Sequence, residues 1–403
     1  MAENHSHIHG SVAPGFEKVR DQFIRNFSER NELGAACAIY HKGEKVVDLW
    51  GGYRDQSTKG LWEEDTCVLV FSTTKGMASM AVAHANSHGL FDYDDRVAQH
   101  WPEFAQNGKE AITIRQLFSH QAGVCAIDEP LDLAALGDPD QVSRAIAMQK
   151  PAWEPGQKHG YHGITLGWYE SELLRRVDPQ KRTIGRYFQD EIAKPLGIDF
   201  YIGLPSDIPR SRIAVLDAYA PWQMLFHLNK LPWPFVKNFL NPKSITSRSF
   251  ANPKVLGLPR RYNDVEMQSI ELPASNGIGE VRGIAKAYGE FATGGKNLGL
   301  TAETLQALTQ PAAPPSGGSM DEVLHINSSF SLGYLKPSAD IHFGSSTNSF
   351  GTPGAGGSFG FADPDAEIGY AYGMNRMGFH LIVDPREEAL RSALYDCLGI
   401  EQI

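Results

Sequence analysis

The sequence predicts a mixed α/β (α+β) fold, with an antiparallel sheet assembled from both ends of the chain, flanked by terminal helices, and a mainly helical lobe between. Two observations lead there. Strand-like runs occupy the first fifty or so residues and return in the last eighty or so, while capped, helically spaced segments fill the middle. Strands at both ends around a helical centre imply a discontinuous unit. Residues 1–95 and 276–403 form one lobe and residues 96–275 the other. With 403 residues the chain can bury a core of that size.

The elements follow in order. Phe16, Val19, Phe23 and Phe27 stand at helical spacing among charges within residues 14–31, so an amphipathic first helix is expected. Ala35–Tyr40 and Lys45–Trp50 alternate like strands, and His41-Lys42-Gly43-Glu44 between them reads as a hairpin connection. Thr66–Phe71 is a short buried run, followed by an apolar helix that ends at Gly89. Acidic Asp92–Asp95 is loop chemistry. Ile112–His120 and Thr183–Ala193 read as helices, the second closed by Lys194-Pro195-Leu196-Gly197. Between 205 and 275 prolines accumulate, and Trp222, Phe226, Trp233, Phe235 and Phe239 crowd together. That segment is a cap over the site, a helical core or an oligomer contact. Ser331–Leu335, Ser358–Ala362 and Glu367–Met374 return to strand patterns. A last helix opens at Asp384-Pro385, with Glu387 placed to complete a capping box.

Composition narrows the partners. Thirty-seven basic against 47 acidic residues give a net charge of −10 with no like-charge block, which argues against nucleic acid or a membrane as the main partner. Cys37, Cys67, Cys125 and Cys397 lack metal or disulfide spacing and read as buried free thiols of a reducing compartment. The N-terminus has no basic region leading into an apolar run, so a cytoplasmic location is expected. His5, His7 and His9 alternate, but on an exposed flexible terminus, so no metal and no cofactor are assigned.

The chemistry starts at Ser72-Thr73-Thr74-Lys75, the one place where a serine stands three residues before a lysine. On a helix that spacing sets the amine against the hydroxyl. A neutral amine can accept a serine's proton if burial lowers its pKa from about 10.4. At the helix start, free N–H groups also favour a developing oxyanion. A solvated N-cap serine would show the same spacing, since a chain of this length holds roughly one such tetrapeptide by chance. Two segments can accompany Ser72. In Gly160-Tyr161-His162-Gly163 the tyrosine can share a proton with a nearby lysine, and a structural tyrosine would fit equally. In Thr352-Pro353-Gly354-Ala355-Gly356-Gly357 small residues let a backbone N–H approach a ligand, as would also suit a plain turn. A rival, Gly356-Gly357-Ser358-Phe359-Gly360, matches a nucleophile elbow. It fails on context, because a strand rather than a helix follows Ser358 and His380 is the only histidine left.

Taken together, Ser72-Thr73-Thr74-Lys75, Tyr161-His162-Gly163 and Thr352-Pro353-Gly354 resemble the three ordered motifs of the penicillin-recognising serine hydrolases. The likeness is strongest to carboxylesterases on the class C β-lactamase fold, the family VIII esterases. Ile114–His120, Trp153-Glu154-Pro155-Gly156 and Lys194–Gly197 extend it over most of the chain. The resemblance implies a β-lactamase/transpeptidase-like fold with the site between the lobes. It also implies Ser72 as nucleophile, Lys75 as the group sharing its proton, Tyr161 as general base and leaving-group acid, and the N–H groups of Ser72 and Ala355 as oxyanion hole. Thr352, Gly354 and Gly163 would face the substrate. Lactam-using relatives carry asparagine where Gly163 stands and a basic residue where Thr352 stands, groups that hold an amide and a carboxylate and that an ester does not need. The expected activity is hydrolysis of small carboxylic esters, with short acyl groups, by a chain that can self-associate. A β-lactamase or peptidase, an acyltransferase using the same acyl-enzyme, and a binding module without catalysis are the other readings. A proton shared by Lys75 and Tyr161 implies activity that rises from neutral to mildly alkaline pH.

Overall fold

A computed structural model describes residues 7–403 of the chain. Its main sheet has nine strands, all pairing antiparallel, drawn from the two ends of the sequence. From the first half come β1 (Ile8–Val12), β2 (Gly34–His41), β3 (Glu44–Asp55) and β4 (Gly60–Leu61). Three two-residue strands, β5 (Val68–Leu69), β6 (Phe200–Tyr201) and β7 (Ile278–Gly279), form a second sheet in the order β5-β7-β6. From the second half come β8 (Ser329–Ser331), β9 (Tyr334–Lys336), β10 (Phe350–Pro353), β11 (Phe359–Asp363) and β12 (Ile368–Met374). The main sheet runs β1-β3-β2-β12-β11-β10-β9-β8, with β4 on β3, so the first and last strand groups meet where β2 pairs β12.

Alternation along β12 shows how the sheet divides two cores. Ile368, Tyr370, Tyr372 and Met374 point to one face, under the terminal helices Glu17–Glu29 and Pro385–Leu398. Gly369, Ala371 and Gly373 point to the other, where the helix Val281–Ala292 lies across β2, β11 and β12. A Cβ on Gly369 would sit 2.1 Å from the backbone nitrogen of Gly289, and one on Gly360 2.5 Å from the Tyr288 ring. Only a glycine stripe lets the helix come this close.

The helix Thr73–Ser87 is the centre of the second core. Every residue from Thr73 to Ala85 is buried, which accounts for its run of small and apolar side chains. It packs on the helices Thr165–Val177 and Ile184–Phe188 and on β10.

Several expectations need correction. Residues 8–12 form an edge strand rather than a flexible end, with His7 against Tyr53 and His9 against Trp50; His5 lies outside the described residues. Ser331–Leu335 is a hairpin, not one strand, because Gly333 turns at φ 88°. The helix expected over Ile112–His120 spans only Ile114–Phe118, since His120 takes φ 63°. Asp384 caps the last helix by accepting from the Arg386 N–H, but Glu387 pairs with Arg391 instead of closing a capping box. The aromatic segment is not a buried core, for Trp222, Phe226, Trp233 and Phe239 are exposed and Phe235 alone of the five is buried. Cys37, Cys67, Cys125 and Cys397 are unpaired as expected, but only the first three are buried, and Cys397, near the end of the last helix, is partly exposed.

Gly369→Ala should cost at least about 1–3 kcal/mol, because the new methyl meets backbone that cannot rotate away. Urea unfolding of the two proteins measures it, and equal midpoints would contradict the close packing described.

Candidate active site

Ser72 stands at the N-terminus of the central helix, and the chain reaches it through strained backbone. Phe71 has φ 43°, a left-handed conformation that costs a non-glycine residue roughly 1–2 kcal/mol. The surroundings hold it there. Thr74 Oγ1 donates to the Phe71 carbonyl and accepts from the Gly277 N–H at 2.8 Å, and the Phe71 ring meets Tyr262 at 5.1 Å.

Lys75 is fully buried one turn on. Its Nζ lies 3.0 Å from Ser72 Oγ and donates to the Ala274 carbonyl at 2.8 Å, and it sits 4.9 Å from the centre of the Tyr161 ring. Burial pushes its pKa down to about 7, with only the Glu170 carboxyl pulling the other way. Glu170, equally buried, is pushed up to about 8 and accepts from Ser79 Oγ at 2.6 Å; its Oε2 has no hydrogen-bond partner. Near neutral pH the two therefore lean towards an uncharged amine and an uncharged acid.

Tyr161 is fixed from below. Its backbone N–H donates to both Asp321 oxygens at 3.0 and 3.2 Å, and Asp321 is itself anchored by the Val323 and Leu324 N–H groups at 2.8 and 2.7 Å. Burial raises the Tyr161 phenol above its ordinary range, with the Ser72 hydroxyl beside it drawing the value back in part. The phenol keeps its proton at neutral pH. The nearby imidazoles offer no competing base. His120 is held well below the usual histidine range by burial and by His162 and Lys75, and its Nδ1 is engaged by the His162 N–H. Burial likewise lowers His162 to about 4.

The third segment closes on the helix from the sheet. Gly354 has no room for a side chain, since a Cβ would lie 2.2 Å from Ser358 Oγ and 2.3 Å from the Val70 carbonyl. Ser358 is buried, donates to the Val70 carbonyl at 2.8 Å and shares a 3.1 Å hydrogen bond with Thr73 Oγ1. It is a tie between the strand and the loop that leads into Ser72. The Thr352 hydroxyl accepts from the Gly76 N–H at 3.1 Å and contacts Tyr288 and the Thr73 carbonyl, so it too joins strand to helix rather than offering a hydroxyl to the cleft. At Gly163 a Cβ would strike the Phe250 ring at 2.4 Å. An aromatic ring fills that space.

Among the N–H groups of residues 72–76, those of Thr73, Thr74, Lys75 and Gly76 all donate within the fold. Among the described residues neither the Ser72 nor the Ala355 N–H has an acceptor. The loop carrying Ala355 is braced by a buried cation, for Arg386 donates to the Gly356 carbonyl at 2.9 Å while pairing with Asp384 at 2.9 Å and Glu32 at 3.1 Å.

Sequence reasoning missed Glu170, Ser79, Asp321 and Arg386. Two carried a signal. Ser79 lies one turn past Lys75 on the same helix, and Glu170 interrupts the apolar stripe Leu166, Tyr169, Leu173. Among the described residues no cluster of three His, Cys, Asp or Glu side chains could hold a metal ion, and no helix is long and apolar enough to cross a membrane.

Residues 20–394 match the Beta-lactamase family. The esterase/beta-lactamase LipL of Mycobacterium tuberculosis is 29% identical over 379 residues, covering 92% of this chain and 83% of LipL. A family VIII carboxylesterase of known crystal structure is 36% identical, covers 97% of this chain and 99% of its own, and superposes with a TM-score of 0.85. A penicillin-binding protein homologue from Caulobacter crescentus is 33% identical over the same shares, with a TM-score of 0.84. Matched along nearly its whole length in sequence and in fold, the chain belongs to the Beta-lactamase family.

Proposed function

We propose that the protein is a serine carboxylesterase that works through a Ser72 acyl-enzyme. The observation that carries this is the contact between Ser72 Oγ and the Lys75 amine, 3.0 Å apart, with the amine's pKa lowered to about 7. Uncharged Lys75 accepts the Ser72 proton as Oγ attacks the ester carbonyl. The oxyanion is received by the N–H groups of Ser72 and Ala355. Tyr161 gives its phenolic proton to the departing alkoxide and regains one from the Lys75 ammonium. Water then attacks the acyl group, passes a proton to the Lys75–Tyr161 pair, and Ser72 is restored. This revises the roles expected from the resemblance, since the raised phenol makes Lys75 the base and Tyr161 the acid and relay.

Esters suit the site better than amides or lactams. With Phe250 over Gly163 and the Thr352 hydroxyl engaged inside the fold, the groups that would grip a lactam's amide and carboxylate are missing. Losing one such charge-assisted contact weakens recognition by about 1.5–3 kcal/mol. The same ring narrows the cleft, which supports short acyl groups. The substrate-facing surface at Thr352 and Gly354 is then backbone. Transfer to another alcohol in place of water would need no further residue. Residues 1–95 with 276–403 and residues 96–275 fit as the two lobes, and the unpaired thiols suit a cytoplasmic setting.

Purified Ser72→Ala should lose at least about 10³-fold in p-nitrophenyl butyrate turnover, whereas Ser358→Ala should stay active with reduced stability. A dead Ser358→Ala beside an active, folded Ser72→Ala would reverse the assignment. Because Lys75 must be uncharged, kcat/KM should fall about tenfold per pH unit below about 7 and level off above it. A profile flat from acid to alkaline pH would remove Lys75 as the base. Lys75 has a folded pKa below its unfolded value. Its burial therefore penalises the fold fully below about pH 7, and the penalty fades as pH rises towards 10.5. Lys75→Met should accordingly raise the thermal midpoint, more at acid than at alkaline pH, and an equal shift at all pH values would contradict a titrating buried amine.

A further inference from the structure

The chain is acidic overall, yet from residue 218 to residue 263 it contains no Asp or Glu, while Lys230, Lys237, Lys243, Arg248, Lys254, Arg260 and Arg261 supply seven positive charges. The same segment exposes the largest apolar side chains of the molecule. Trp222 is 61% exposed, Phe226 75%, Trp233 69% and Leu240 70%. Trp222 and Phe226 meet edge to face at 6.1 Å. On the helix Trp233–Phe239 and its C-cap, Trp233, Lys237 and Leu240 stand at i, i+4 and i+7 and are exposed together, while Phe235 and Val236 face inward. The turn before this helix and the helix Ile245–Arg248 after it pack on one another through it, so these side chains share one region of surface. His227 stacks on Phe379 at 3.7 Å and ties the region to the body of the protein.

Two features bear on what covers this face. Arg248 pairs with Asp128 and Arg261 with Asp264, but among the described residues Lys230, Lys237, Lys243, Lys254 and Arg260 have no carboxylate partner. Exposed tryptophans among unpaired lysines, on a segment that itself carries no acidic residue and meets carboxylates only where Asp128 and Asp264 pair with Arg248 and Arg261, match the interface between water and an anionic bilayer, where indole rings settle at headgroup depth and lysines meet lipid phosphates. A second copy of the chain fits poorly, because a symmetric contact would bring the same unpaired cations against one another. The face is also continuous with the cleft. Half-exposed Phe239 lies 6.3 Å from Phe250, and Phe250 covers Gly163, two residues from Tyr161.

We propose that residues 222–261 form a peripheral docking face for an anionic phospholipid surface, which sets the active-site cleft beside a reservoir of apolar esters. The sequence-based expectation of no membrane partner rested on net charge, and the local charge has the opposite sign. The purpose assigned to the face rests on the esterase reading, whereas the binding does not.

The test is cosedimentation of the full chain with vesicles of phosphatidylcholine containing about one third phosphatidylglycerol, against vesicles of phosphatidylcholine alone. Tryptophan emission is followed in parallel. Binding to the anionic vesicles is expected at about 0.05 M salt, with a blue-shifted emission, and should weaken at least about tenfold at 0.5 M salt, where the screening length shrinks to a few Å. It should weaken as much without phosphatidylglycerol, in Trp222→Ala/Trp233→Ala, and in Lys230→Glu/Lys237→Glu/Lys243→Glu. Hydrolysis of p-nitrophenyl butyrate in free solution by both variants should stay within about twofold of wild type, since none of these residues touches the site. Wild type left in the supernatant with both vesicle types would overturn the proposal, as would binding that survives both variants. Self-association lost in the tryptophan variant, without vesicle binding, would assign the face to a second copy, and equal binding to a DNA duplex would assign it to polyphosphate in general. A protein that binds vesicles but hydrolyses no ester would refute the esterase reading and leave the docking face standing.

Discussion

The site depends on keeping one amine dry. The part proposed for Lys75, a base at neutral pH, requires that water be excluded from it, and the pull of burial from an ordinary value of 10.5 to about 7 is what the rest of the architecture must sustain. That requires a helix buried on every side. The sheet supplies β10 against it, and the helices Thr165–Val177 and Ile184–Phe188 pack on it as well. Such burial opposes folding. The protein offsets it with the Ala274 carbonyl on Nζ, the Tyr161 ring beside it, and the apolar contacts of the helix itself.

Holding Ser72, behind the strained backbone of Phe71, against that amine calls for polar ties that cannot themselves react. Ser358, Thr352, Thr73 and Thr74 have this part. Each hydroxyl is occupied by a carbonyl, an N–H or another hydroxyl, so none is free to attack a substrate or to attract water. Ser72 differs in having a lysine as its partner and an unsatisfied N–H of its own. The same logic extends outward to Arg386, whose guanidinium joins Glu32, Asp384 and the Gly356 carbonyl and so ties the last helix to the loop bearing Ala355. A charge this deeply buried is tolerable only because every side of it is paired.

What the sequence made legible were features set by local spacing. Ser72 and Lys75 are three residues apart on one helix, so their contact follows from helical geometry alone. The first hairpin was readable from two strand-like runs joined by a short connection containing Gly43, and the structure turns there through Lys42 and Gly43 at φ 55° and 81°, a turn of the kind that strand twist favours. The sheet joining both termini could be inferred from where the strand patterns fell. What stayed hidden depends on register or on distant partners. Whether Thr352 faces the cleft or the helix is decided by the pairing of β10 with β11, and a single-residue slip would reverse it. Asp321 reaches Tyr161 across 160 positions, and nothing near either residue announces the other. The edge strand Ile8–Val12 was read as a flexible end because exposed edge positions carry no alternating apolar signal.

The balance between ester and lactam chemistry follows from the same packing. In the proposed mechanism an acyl-enzyme needs only Ser72, an uncharged Lys75 and an oxyanion hole, and those parts do not distinguish one acyl group from another. Discrimination has to come from the walls. Here the space beside Gly163 is filled by the Phe250 ring, and position 352 presents no cation because it is a threonine, whose hydroxyl is in turn engaged by the Gly76 N–H. A substrate that needs neither an amide grip nor a carboxylate partner loses nothing in such a cleft, whereas one that needs both must give up two charge-assisted or hydrogen-bonded contacts on entry. Phe250 belongs to the acid-free aromatic segment. The ring that fills the space beside Gly163 is therefore carried by the part of the chain that also shapes the exposed face, so under both proposals changes in that segment would act both on substrate selection and on the surface from which substrate arrives.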